Sequence, residues 1–127
     1  MAQTVVLLHT QPDKPDHYDW LIDQPERTAE HRLVTFRVPV RPDRNRLYTG
    51  VKVADHRAFY LDYEGPLSQG RGEVKRVAKG TVEDLAIESE QITGKVEWGD
   101  RRASFVGIRI EPDADQWRFE CTPMDED

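Results

Sequence analysis

Three residues near the start of the chain have the types and spacing to hold a divalent cation. In His17-Tyr18-Asp19, an extended backbone puts the first and third side chains on one face. An imidazole nitrogen and a carboxylate oxygen presented together make two metal ligands. His9 closes the preceding apolar run, Thr4 to His9. If that run pairs with the next segment through a Thr10 to Asp16 loop, His9 supplies a third ligand and leaves positions open for water or substrate. The competing reading of an isolated His-x-Asp is a surface histidine hydrogen-bonded to a neighbour.

A second group lies in Asp55-His56-Arg57-Ala58-Phe59-Tyr60-Leu61-Asp62-Tyr63-Glu64-Gly65-Pro66. His56, Tyr60, Asp62 and Glu64 share parity, so extended backbone would present them on one side, with Leu61 and Tyr63 opposite. A histidine titrating near neutrality can act as a general acid or bind a phosphate oxygen, and a tyrosine hydroxyl can donate to the same anion. The alternative is a polar strand face with the Tyr60 ring packed against the protein.

Next comes Gly65-Pro66-Leu67-Ser68-Gln69-Gly70-Arg71-Gly72. Such a stretch lets backbone amides approach an anion, although a wide hairpin loop is the commoner explanation. It lacks the Gly-Lys-Ser/Thr ending of a nucleotide-triphosphate loop. No Gly-x-Ser-x-Gly elbow exists, and Cys121 has no histidine close in sequence, so acyl transfer lacks support. His31 has nothing near it to complete a site and reads as structural or exposed.

The elements that must carry these residues are mostly strands. Thr4 to His9, Tyr18 to Ile22, Leu33 to Pro39, Gly72 to Ala78, Thr81 to Glu88, Gln91 to Trp98, Arg102 to Ile110 and Gln116 to Cys121 are short β-branched or aromatic segments between turn residues. From Val34 onward, Leu33 to Pro39 alternates as a half-buried strand does, its end marked by Pro39. Gly107 marks a bulge or a close backbone approach. Trp20, Trp98 and Trp117 fall inside predicted strands, where burial is expected rather than base stacking. Only Pro25 to Arg32 offers helix, one turn or two. The expectation is an all-β fold, a small closed or partly open antiparallel β-barrel (or sandwich) with at most one or two short helices.

The 127 residues suit one domain over 1–127, with an acidic tail from about 122. The longest apolar run, Val5 to Leu8, is far short of the ~20 residues of a membrane helix. No signal segment opens the chain, and the single Cys121 excludes an internal disulfide, so a cytoplasmic location is expected. A net charge of −6 argues against a dedicated nucleic-acid coat but leaves room for a local basic patch. Arg37, Arg41, Arg44 and Arg46 form one basic stretch, and Arg71, Lys75, Arg76 and Lys79 another.

In order along nearly the whole chain, these stretches resemble the phosphoesterase domain of bacterial DNA ligase D, most of all its small stand-alone relatives. The likeness rests on His9 with His17-Tyr18-Asp19, and on Asp55-His56, Tyr60, Tyr63-Glu64-Gly65 and Gly70-Arg71-Gly72. It is echoed by Gly80-Thr81, Ile92 to Val96 and Trp117. The resemblance implies a compact β-barrel that removes 3′-terminal phosphates and ribonucleotides from nucleic acid in end joining. It implies a divalent cofactor, manganese first and zinc or cobalt as alternatives, held by His9, His17 and Asp19 at a barrel mouth. His56 and Tyr60 would contact the scissile phosphate, with His56 as the acid. Partners would be a nucleic-acid 3′ end and separate ligase or polymerase repair proteins.

The chain also departs from that pattern. The arginine expected two residues after the motif aspartate is Leu21. The phosphate-binding lysine after Val38-Pro39 is missing, the spacing from His9 to His17 is two residues longer than usual, and an arginine before Asp55-His56 is found only in a shifted register, at Arg46. Leu cannot replace a guanidinium fork, so Arg41, Arg46 and Arg71 are the candidate phosphate-binding substitutes. Two other functions stay open: a non-catalytic barrel that binds a metal or a nucleic-acid end, and a phosphoesterase for another small phosphorylated substrate.

Overall fold

The structure, a computed structural model, describes residues 1–124. Asp125, Glu126 and Asp127, the end of the expected acidic tail, lie outside the described residues; Thr122 and Pro123 belong to the last strand.

Two-residue punctuation starts the fold. Pro12 and Asp13, the latter at φ 62°, turn the chain between β1 (Ala2–Gln11) and β2 (Lys14–Asp23). The hairpin is much tighter than the loop expected from the sequence, and it sets His9 directly opposite His17 and Leu7 opposite Asp19. One turn of 3-10 helix, Ala29–His31, leads into β3 (Leu33–Val38). β4 (Leu47–His56) follows, a strand the sequence reading did not expect.

A second 3-10 turn, Ala58–Leu61, precedes a two-residue strand, β5 (Gly65–Pro66). β6 (Glu73–Ile87) is continuous where two strands were expected, and it carries a register irregularity between Glu83 and Ala86. β7 (Gln91–Glu97), β8 (Arg102–Arg109) and β9 (Gln116–Pro123) complete the sheet.

All pairings are antiparallel, in the order β1-β2-β3-β4-β9-β8-β7-β6-β5, and β1 also pairs with β6, so the sheet curls into a ring. The all-β expectation is met, as a ring-like sheet rather than a strict barrel. No helix among the described residues is long and apolar enough to cross a membrane.

The inside of the ring is filled, not open. Trp20, Phe36, Phe105 and Phe119 interlock there, with Trp20 5.1 Å from Phe105 and Phe36 4.9 Å from Phe119, edge to face. Gly107 is the close approach that the sequence left open: a Cβ there would stand 2.5 Å from the Phe119 ring. The Trp20 indole donates to Thr4 Oγ1 (2.9 Å), which donates to the Leu21 carbonyl (2.7 Å), so the buried N–H is satisfied.

A second apolar cluster sits on the other face of β1–β3. Val5, Leu7, Leu21, Leu33, Leu61 and Val74 pack together there under Tyr60, Tyr63 and Leu67 from the segment 57–72. Burying each Val or Leu contributes roughly 1.5–3 kcal/mol. This roof explains why β3, expected to be half-buried, is covered on both faces: five of its six residues are buried.

Candidate metal centre and adjoining cleft

The odd-numbered side chains of β1 and β2 point away from the ring's interior, and on this outer face His9, His17 and Asp19 converge. They lie beside the second apolar cluster, close to the β1–β2 turn. The interior is packed with aromatic rings, which excludes an ion from it, whereas the outer face leaves polar strand ends beside the roof.

His9 Nδ1 is 3.1 Å from His17 Nε2 and 3.5 Å from Asp19 Oδ2, and His17 Nε2 is 3.2 Å from Asp19 Oδ1. Donors about 2.1 Å from one ion stand roughly 3.0–3.4 Å apart in octahedral or tetrahedral geometry, which matches these separations. Each imidazole is 11% exposed and the carboxylate 7%. Asp19 Oδ1 is buried, and apart from the 3.2 Å approach of His17 Nε2 it has no partner among the described residues, an oxygen that a cation would satisfy. His9, His17 and Asp19 therefore form a candidate metal-binding triad.

A cleft of about 470 Å³ opens beside it, lined by His9, Asp19, His56, Tyr60, Arg37, Arg57 and Arg71 among others. His17 lies across the divide, in a second groove of about 490 Å³ that shares Gln11 and Arg37 with the first. His56 Nδ1 lies 3.0 Å from the Ala54 carbonyl, to which it donates, leaving Nε2 as the ring's free nitrogen. The His56 and Tyr60 rings meet edge to face at 5.4 Å.

The segment after His56 is not extended. The 3-10 turn breaks the expected common face, so His56 and Tyr60 line the cleft while Asp62 and Glu64 do not. Glu64 instead accepts the Arg76 backbone N–H (2.7 Å).

Of the arginines expected to bind phosphate, Arg71 lines the cleft, but Arg41 and Arg46 lie elsewhere. Arg41 is committed to Asp43 by two hydrogen bonds of 2.7 and 3.0 Å and to the Val77 carbonyl; the Asp43 hydrogen bond raises its pKa above the usual arginine value. Arg46 faces a separate pocket near Trp98 and Cys121.

Two cleft arginines escaped the sequence reading. Arg37 sits opposite Asp19 in the β2–β3 register, and Arg57 directly follows His56. Parity along β3 was the signal for Arg37; Arg57 had none, because the turn that directs it into the cleft was not expected. The cleft's second carboxylate, Asp55, is already paired with Arg27 (2.8 Å) and Lys52 (3.0 Å). The three cleft arginines thus outnumber the carboxylates free to neutralise them.

Leu21, in place of the expected arginine, is fully buried in the second apolar cluster. Burial pushes the Cys121 thiol up, against a smaller lowering by the Tyr48 hydroxyl 3.5 Å from its sulfur. Comparison of the chain with protein-family models and with curated proteins yields no match.

Proposed function

We propose that this protein is a metal-dependent phosphoesterase of the ligase D type, acting on the 3′ end of a nucleic-acid strand. The observation that carries this reading is the buried Asp19 carboxylate, held against two imidazoles at metal-ligand spacing beside a cleft with three arginines. Two nitrogens and one oxygen suit manganese, and also zinc or cobalt, with positions left for water and substrate. His9, His17 and Asp19 would hold the cation, which would supply Lewis-acid polarisation of a phosphoryl oxygen.

The chain's own groups supply the rest. Arg37, Arg57 and Arg71 hold the phosphate oxygens. Water oxygen bonds to phosphorus as the ester P–O bond breaks, the bonding pair leaves on the 3′ oxygen, and the water's two protons go with the phosphate, one of them returning to His56 as the product leaves. His56, in its imidazolium form, gives that oxygen its Nε2 proton. The Tyr60 hydroxyl donates to the phosphate. The products are a 3′-hydroxyl and inorganic phosphate.

A second reading, hydrolysis of a small phosphorylated molecule, is favoured by the net charge of −6, since a strand-binding surface needs many cations. One assay separates them. Phosphate release from a 3′-phosphorylated primer, stimulated by manganese and absent in His17→Ala, supports the proposal. Release from small phosphomonoesters alone selects the second reading, and no release above the His17→Ala control with manganese, zinc or cobalt overturns both.

A further inference from the structure

Beyond the three donors, the glycine-rich turn that roofs the cleft touches the metal centre itself. His9 Nε2 lies 2.8 Å from the Arg71 carbonyl oxygen. A carbonyl only accepts, so Nε2 carries the proton, and the neutral ring then presents the Nδ1 lone pair. Nδ1 is the atom aimed at His17 Nε2 and Asp19. A metal-ligating histidine commonly has its other nitrogen fixed in this way by a backbone or carboxylate oxygen.

The turn is built to hold that carbonyl in place. Gly65 and Pro66 pair with Val74 and Glu73, and the Leu67 N–H donates to the Gly72 carbonyl (2.7 Å). Gly72 sits at φ +87°, and a Cβ there would be 1.8 Å from the Thr10 carbonyl oxygen and 2.8 Å from its carbon. Both atoms are backbone of β1, the residue after His9, so no side chain can swing aside. Only glycine lets the turn close this far onto β1.

The Arg71 side chain points to a different task. Its Nε donates to the Ser68 carbonyl and Nη2 to Ser68 Oγ, each at 3.0 Å. This braces the guanidinium at the cleft, and its Nη1 has no hydrogen-bond partner among the described residues.

We propose that the Ser68–Gly72 turn is the outer shell of the metal centre, with Arg71 as its positioning residue: the Arg71 carbonyl fixes His9 as an Nδ1 donor, while the braced guanidinium binds a phosphate group in the cleft. This rests on the metal reading above. The two roles belong to different parts of one residue, backbone and side chain, and are therefore separable.

Manganese alone and inorganic phosphate alone serve as probes, titrated into wild-type protein, Gly72→Ala and Arg71→Ala. Gly72→Ala moves the carbonyl and is expected to weaken manganese binding about 10- to 100-fold. Arg71→Ala keeps the carbonyl, so manganese affinity stays within about twofold while phosphate binds about tenfold more weakly. The proposal is overturned if folded Gly72→Ala binds manganese as the wild type does, or if Arg71→Ala loses as much manganese affinity as Gly72→Ala.

Should Gly72→Ala not fold, nitrogen NMR of metal-free wild-type protein decides instead. His9 protonated on Nε2 supports the proposal, and His9 protonated on Nδ1 overturns it. Wild-type protein that takes up no manganese overturns the metal reading as well, whereas failure of the variant pattern alone leaves that reading standing.

Discussion

Asp19 of β2 stands opposite Arg37 of β3, and both line the cleft, yet the carboxylate's close side-chain neighbours are the two imidazoles rather than this guanidinium. A cation ligand and an anion-seeking group thus sit side by side without cancelling each other. That leaves Arg37 free to meet a substrate phosphate. Arg37→Ala and Arg57→Ala are each expected to raise KM for a phosphorylated substrate about tenfold, the scale of one charge-assisted hydrogen bond. Manganese affinity should not change. Steady-state kinetics beside a metal titration checks this, and a loss of metal affinity in either variant would contradict the assignment.

Leu21→Arg introduces the arginine that the resemblance to ligase D phosphoesterases leads one to expect at this position, but it should not raise activity. The side chain enters a cluster with Val5, Leu33 and Leu61 where Leu21 is wholly buried. An unpaired charge there costs on the order of 3 kcal/mol, or roughly 10 °C in Tm for a domain of this size. Thermal unfolding measures the cost directly; an equally stable, more active variant would show that the cluster opens to the cleft.

Thr4→Val tests the hydrogen bonds inside the ring. Thr4 Oγ1 is the acceptor for the Trp20 indole, and removing it strands a buried N–H at a cost of about 1–3 kcal/mol. Chemical denaturation should show this as a lower midpoint with an unchanged m-value. Wild-type stability would mean that the indole has another partner.

Tyr48 gives the fold an alkaline limit. Burial, with the neighbouring Cys121 adding to it, holds its pKa well above the ordinary 10.0. In the unfolded chain Tyr48 ionises near that ordinary value, while the folded protein keeps it neutral. Its contribution is therefore complete below about pH 10 and is lost as pH rises beyond it. Cys121, also raised by burial, acts in the same direction from its ordinary 9.0. Denaturation midpoints followed from neutral to alkaline pH should fall less steeply in Tyr48→Phe than in wild type; parallel curves would refute the assignment.

The strands were legible where their pattern was local. The Val5 to Leu8 run, the aromatic Tyr18 to Ile22 and the alternating segment as far as Val38 fall in strands, with Pro39 just past the end of β3, and His17 and Asp19 share a face as i, i+2 spacing requires. What escaped depended on packing at a distance. β4 was overlooked because its burial comes from pairing with β3 and β9, far away in sequence. The shared face of His56, Tyr60, Asp62 and Glu64 failed because the chain must fold back to roof the outer apolar cluster, and a 3-10 turn does this in four residues. Arg57 enters the cleft through the same turn. The Arg71 carbonyl on His9 links residues 62 positions apart, and Gly72 hinted at it only as a glycine in a loop.

The proposed function depends on the joint grip of two imidazoles and one carboxylate on a single cation. Pulsed electron paramagnetic resonance of manganese bound to the full chain measures this most directly, since imidazole nitrogens on the ion modulate the echo. Two such nitrogens are expected in the wild type, one in His9→Ala and one in His17→Ala where metal still binds. Manganese bound with no imidazole nitrogen, or no manganese bound by the folded protein, would contradict it.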